Sequence, residues 1–248
     1  MRTLVALPVY NQEKNIKDIV SRVKSFASDV LVLNDGSTDG SLKLSSTIDG
    51  VQILSYHRNR GYGRTIIDAF RYAVKEGYEH LITLDSDGQH APEEIPLFLE
   101  RILYCDIASG SRFQLPFSVG KDVPAERYAI NMEITKIIRR ITKYQLTDAF
   151  CGFKAYRVEA LKKMNLTEHG YGMPLQLWIQ AWRLGLRILE VPVKLIYGDT
   201  TVRFAGRLND PAIRLAYYKK VIEKELKRGV LKRALVVGAG LKPAPTSA

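Results

Sequence analysis

The sequence predicts an α/β protein with a mostly parallel central sheet flanked by helices. Two observations carry that expectation: strand and helix signals alternate through the first hundred residues, and the apolar run Leu81-Ile82-Thr83-Leu84 stops abruptly at Asp85-Ser86-Asp87-Gly88. Alternation of this kind calls for parallel strands joined by crossover helices. In such a sheet ligands bind beyond the carboxyl ends of the strands, which is where Asp85 and Asp87 fall.

The elements follow in order. A strand is expected at Thr3 to Pro8, then a helix near Lys14 to Phe26, where Ile16, Ile19, Val20 and Val23 recur at helical spacing and Asn11 or Asn15 stands in capping position. A strand at Val30 to Asn34, a helix from near Asp39, a strand at Val51 to Tyr56 and a helix from Arg64 to Lys75 lead to the Asp-x-Asp strand. Pro92 followed by Glu93 and Glu94 reads as a helix start, and Asp106 to Ser109 as a short strand. Phe113 to Val123, with Pro116 and Gly120, has no period and reads as a loop. A helix over Ala125 to Thr142 carries Lys136, Arg139 and Arg140. Met173 to Trp182 then reads as helical and Arg187 to Val193 as extended.

The last element, Pro211 to Arg228, is expected to be an amphipathic helix. Leu215, Tyr218, Ile222 and Leu226 share one face, while Arg214, Lys219, Lys220, Lys224, Lys227 and Arg228 populate the rest. Residues 229–248 end in a small-residue, Pro-rich stretch and are expected to be a disordered tail.

Composition narrows the function classes. At 248 residues and 46% hydrophobic content, one large globular domain is expected. The net charge of +11 favours anionic partners: nucleic acid, acidic lipid or phosphate-bearing ligands. Neither a recognition helix nor an aromatic RNA-binding motif is evident, so no nucleic-acid partner is expected. Cys105 and Cys151 give neither zinc-ligand spacing nor a disulfide framework, which fits a reducing, cytoplasmic compartment. No signal-peptide pattern opens the chain, and no apolar stretch nears the roughly 20 residues that span a bilayer, so any membrane contact is expected to be peripheral. The basic last helix is the candidate for it, with a helix packed on the domain as the plainer reading.

Asp85 and Asp87 are the strongest chemical signal. Hard oxygen donors at a strand end suit Mg²⁺ or Mn²⁺, which prefer a few carboxylates plus substrate phosphates. Alone, Asp-x-Asp also closes turns. Three further segments come with it: Leu7-Pro8-Val9-Tyr10-Asn11-Gln12-Glu13, Leu33-Asn34-Asp35-Gly36-Ser37, and Asn59-Arg60-Gly61-Tyr62-Gly63-Arg64.

Together and in this order, the four segments make residues 3–225 resemble family 2 glycosyltransferases of the GT-A fold, in particular the dolichol-phosphate mannosyltransferase-like branch. The resemblance implies an inverting transferase that moves a hexose from a nucleotide diphosphate sugar, of GDP-mannose or UDP-glucose type, to a polyprenyl phosphate. The alternatives are a transferase acting on a glycan hydroxyl and a non-catalytic nucleotide-sugar binder.

It implies, further, that Pro8, Tyr10, Glu13, Asp35, Gly63, Asp85, Ser86, Asp87, Gln89, Arg127 and Arg203 contact the nucleotide sugar. Asp85, Asp87 and Gln89 would hold the metal, with His90 a solvent or packing residue. Asp87, Arg112 and Asp148 would be catalytic, Asp148 as the base if the acceptor is a hydroxyl. Residues 1–228 would form one domain, with a nucleotide-binding half to residue 112 and an acceptor half from 113. Departures from the family pattern are Gln12, Asn34, Cys151, Lys154, and Gln176 where a carboxylate is usual.

Overall fold

The computed structural model describes residues 2–114, 123–196, 204 and 206–238. Among them, seven strands form one sheet: β1 (Thr3–Val9), β2 (Asp29–Asn34), β3 (Val51–Ser55), β4 (His80–Thr83), β5 (Ile107–Ser111), β6 (Lys154–Arg157) and β7 (Ile188–Pro192). Their spatial order is β3-β2-β1-β4-β6-β5-β7. All neighbours are parallel except β6, which runs antiparallel to both β4 and β5.

The sheet is covered on both faces, so its central strands are apolar throughout instead of alternating. On β1, Leu4 and Ala6 enter one core while Val5, Leu7 and Val9 enter the other, as a period of two requires. The first core is roofed by α3 (Tyr62–Lys75), α5 (Ala125–Thr142), the short α6 (Val158–Leu161), α7 (Met173–Arg183) and α8 (Pro211–Gly238). The second lies under α1 (Ile16–Lys24) and α4 (Ile95–Arg101), with Phe98 stacked on Phe153 at 4.0 Å. The five-residue α2 (Ser41–Ser45) completes the set.

Three expectations are revised. Neither Asn11 nor Asn15 caps α1 through its side chain. Asn15 Nδ2 donates instead to the Asp87 carbonyl at 3.3 Å, and Asn11 Oδ1 accepts from the Thr38 amide at 2.8 Å. Strand β6 has no counterpart in the sequence reading, because a four-residue Lys-Ala-Tyr-Arg strand is too short to show a period. The last helix runs to Gly238, ten residues past Arg228, and residues 239–248 lie outside the described residues.

Helix α8 is docked on the domain. Tyr218, Val221 and Ile222 are buried in the first core with Leu215 and Leu226 packed beside them. Several of its basic residues are spent on ion pairs: Arg214 with Glu126, Lys219 with Glu133 at 2.6 Å, and Arg228 with Glu225 of the same helix at 3.8 Å. No helix among the described residues is long and apolar enough to cross a membrane.

Candidate active site

A cavity of about 880 Å³ opens at the carboxyl ends of β1, β2 and β4. Pro8, Tyr10, Asp35, Asp85, Ser86, Asp87, Gln89, Arg112 and Arg127, all named from the sequence, line it. Asp85 and Asp87 leave β4 side by side. Burial and the neighbouring Asp87 carboxylate push the Asp85 carboxyl up to about 6, and burial raises Asp87 in the same direction. Asp87 Oδ1 accepts from the Gln89 amide at 3.0 Å, which closes the turn, and Ser86 Oγ fastens the loop to the Pro8 carbonyl at 2.6 Å.

Tyr62, absent from the sequence-derived list, is part of this site. Its hydroxyl donates to Asp85 Oδ1 at 3.1 Å, and its ring stacks on Tyr171 with centroids 5.9 Å apart. Burial, then the Asp85 charge, keeps the phenol protonated and therefore a donor. The other side of Asp85 is closed by Gly152, where a β-carbon would lie 2.0 Å from Oδ2. A glycine beside a lone carboxylate is no sequence signal; Gly152 matters because β6 slots between β4 and β5 and brings the 151–153 segment against the β4 terminus.

Asp148 is expected from the sequence as the base for a hydroxyl acceptor. It is fully buried, does not line the cavity, and is held in a fork by Arg112, Nε to Oδ2 at 2.6 Å and Nη2 to Oδ1 at 3.0 Å. Asn131 Nδ2 and the amides of Phe150 and Cys151 also donate to Oδ1. Burial opposes ionisation, but the Arg112 charge and these donors outweigh it and hold the carboxyl well below the usual carboxylate range. A carboxylate held this way is a weak proton acceptor. It positions Arg112, whose side chain lines the cavity.

Glu13 and Gly63, also named from the sequence, stand next to cavity-lining residues without lining the cavity themselves. Glu13 Oε2 accepts from the Gly40 amide at 3.2 Å, bracing the loop after β2. Gly63 lets α3 approach the carbonyls of Glu168 and Gly170, which a β-carbon would meet at 2.5 and 2.6 Å. Asp35 does line the cavity, yet both its oxygens accept backbone amides, from Arg60 at 2.9 Å and Gly61 at 3.0 Å. It therefore shapes the Asn59–Gly61 turn. Arg203 lies outside the described residues.

Arg214 and Phe204 are further cavity residues the sequence did not single out as site residues. The guanidinium groups of Arg214 and Arg127 lie 4.3 and 5.1 Å from the Phe204 ring centre. His90, expected as a packing or solvent residue, is buried against Phe153, and burial followed by the Arg112 charge lowers its imidazole to about 3. Gln176, on α7, does not line the cavity and is buried beside α8. Its Oε1 accepts the Thr167 and Glu168 amides while Nε2 donates to Glu225 at 2.7 Å.

Comparison with known proteins agrees with this architecture. Residues 4–164 match the family model Glycosyl transferase family 2. The undecaprenyl-phosphate mannosyltransferase of Micrococcus luteus is 32% identical over 205 residues, covering 79% of this chain and 84% of that protein. The polyprenol monophosphomannose synthase of Mycolicibacterium smegmatis is 31% identical, covering 88% and 85%. Among solved structures, glucosyl-3-phosphoglycerate synthase from Mycobacterium tuberculosis in complex with UDP superposes with a TM-score of 0.70 at 17% identity, covering 90% of this chain and 79% of that one. The same synthase has been solved with Mn²⁺ and UDP, and that structure superposes with a TM-score of 0.66.

Proposed function

The chain belongs to glycosyl transferase family 2, and from that premise we propose that it moves a hexose, with inversion, from a nucleotide diphosphate sugar to a polyprenyl phosphate. The two relatives above are named for such acceptors, and a third, from Methanococcus voltae, is named for transfer of N-acetylglucosamine to dolichyl phosphate.

The observation that carries the choice of acceptor is that, among the described residues, no base lines the cavity beyond Asp35 and the Asp85–Asp87 pair. Among the described residues the carboxylates on the cavity are Asp35, Asp85 and Asp87, and no histidine lines it. Asp35 is committed to backbone amides and Asp148 to Arg112. A hydroxyl acceptor needs a base, whereas a phosphate oxygen is already ionised at neutral pH and attacks unaided.

Two neighbouring carboxylates, both raised in proton affinity by burial and Asp85 further by the Asp87 charge, suit a hard divalent cation. No group of three or more His, Cys, Asp or Glu side chains among the described residues forms a cage of its own, so phosphate oxygens would complete the shell. Asp85 and Asp87, with Gln89 beside them, would hold Mg²⁺ or Mn²⁺, which supplies Lewis-acid stabilisation of the departing diphosphate. Tyr62 and Gly152 fix Asp85 for that task. Pro8, Tyr10 and Ser86 border the nucleotide; Arg112 and Arg127 face the diphosphate. Residues 1–228 act as one domain that meets its lipid acceptor peripherally, at the cytoplasmic face of a membrane.

The test is a transfer assay with Mn²⁺ and GDP-mannose or UDP-sugars on a short polyprenyl phosphate and on the matching polyprenol. Transfer to the phosphate alone is expected. Equal transfer to the alcohol would overturn the reading.

A further inference from the structure

Beside the catalytic cavity lies a second one, of about 740 Å³, along the outer side of α5. The two share Phe113 and Tyr128, whose rings meet edge to face at 5.3 Å and form the wall between them. Met132 and Tyr144 extend the apolar floor, and Lys136, Arg139, Arg140 and Lys143 stand around the rim. Among the described residues no acidic side chain lines this groove. Arg139 donates only to the neutral Gln145, at 3.3 Å, and no acidic side chain among the described residues pairs with Lys136, Arg140 or Lys143.

The helix dipole accounts for Arg139 and Arg140 in the last turn of α5. It accounts neither for Lys136 a turn earlier nor for the aromatic floor. Helix α8 makes the contrast. Of its basic residues up to 228, Arg214, Lys219 and Arg228 pair with acids, while Lys220, Lys224 and Lys227 stand exposed and line neither cavity.

From this juxtaposition we infer that the α5 groove, not α8, is the surface that docks on an anionic lipid bilayer. The rim cations take headgroup phosphates and the Phe113, Tyr128, Met132 and Tyr144 floor meets the acyl boundary, as amphipathic interfacial elements do. Docking there sets the catalytic cavity, one aromatic pair away, at the level where a lipid-borne phosphate lies. The inference shares with the proposed function a membrane-borne acceptor, but its readout is lipid binding and needs no turnover.

The experiment is co-sedimentation of the full chain with vesicles of phosphatidylcholine alone or mixed with an equal part of phosphatidylglycerol. One variant carries Lys136→Gln, Arg140→Gln and Lys143→Asn, asparagine tolerating the left-handed backbone (φ 64°) at 143. A second carries Lys220→Gln, Lys224→Gln and Lys227→Gln. All six positions are exposed, so both variants are expected to fold.

The parent should bind only the anionic vesicles, and salt should weaken it. The α5 variant should bind on the order of a hundredfold more weakly, from about fivefold per charge, with the α8 variant close to the parent. Parent binding lost in the α8 variant and kept in the α5 variant would overturn the inference, as would no lipid binding by the parent. Transfer to a short, water-soluble polyprenyl phosphate tests the proposed function separately, since it needs no bilayer.

Discussion

The Asp85 carboxylate lies flush against Gly152: a β-carbon at 152 would sit 2.0 Å from Oδ2 and 2.5 Å from Oδ1. The side chain that would hold the metal is thus shaped by the absence of a side chain on a strand-entry loop sixty-seven residues away. Gly152→Ala should displace Asp85 by an ångström or so while leaving the sheet intact. Turnover should fall on the order of a hundredfold with little change in melting temperature. Steady-state kinetics beside a thermal melt check this; an alanine variant with parental turnover refutes it.

Tyr62→Phe removes one hydrogen bond to Asp85 and leaves the stack on Tyr171 in place. A single bond to a charged group contributes about 1.5–3 kcal/mol. Mn²⁺ affinity, followed by the free-ion electron paramagnetic resonance signal, should drop roughly tenfold, in proportion to about 1.4 kcal/mol. An unchanged affinity would mean that the hydroxyl does not orient the carboxylate.

Asp148→Asn leaves the buried Arg112 charge without its partner and should cost about 3–5 kcal/mol at neutral pH. The folded carboxyl titrates below its unfolded value, so the unfolded chain binds the extra proton. The stability contributed by the pair is therefore complete above the unfolded value of about 4 and is lost as pH falls further. Urea unfolding of parent and variant should show a gap at neutral pH that narrows below about pH 4. A gap constant with pH would contradict the assignment.

Gln176 is a neutral amide buried beside an acid, and its Nε2 donates to Glu225 at 2.7 Å. Gln176→Glu would set two buried carboxylates against each other, a destabilisation of about 2 kcal/mol or more. Adding Glu225→Gln should recover most of it, because an acceptor and a donor face each other again. Chemical denaturation of the four proteins in the cycle measures this, with transfer rates expected to move little. No recovery in the double variant would mean that the two residues are not a matched pair.

Much of this was legible in the sequence for specific reasons. Elements buried on one or both faces announced themselves through period: α1 through Ile16, Ile19, Val20 and Val23, and β1 and β2 through unbroken apolar runs. The Asp85-Ser86-Asp87 segment was visible because paired carboxylates at a strand end are a local pattern, and the structure places both on the cavity. What escaped depends on tertiary contact. Strand β6 is too short to show alternation, and Gly152 and Tyr62 act on Asp85 only once β6 and α3 are in place. Asp148 looked like a base because its identity and neighbourhood in sequence fit one; the Arg112 fork that weakens it as a proton acceptor joins residues thirty-six positions apart.

The central claim is that Asp85 and Asp87 hold the cation that engages the donor diphosphate. Titration calorimetry of nucleotide sugar into Asp85→Ala and Asp87→Ala proteins, with Mn²⁺ and after near-native melts are verified, tests it most directly. The expected result is loss of metal-dependent binding and of transfer by on the order of a hundredfold or more in each variant. Parental Mn²⁺-dependent affinity and turnover in either one would contradict it.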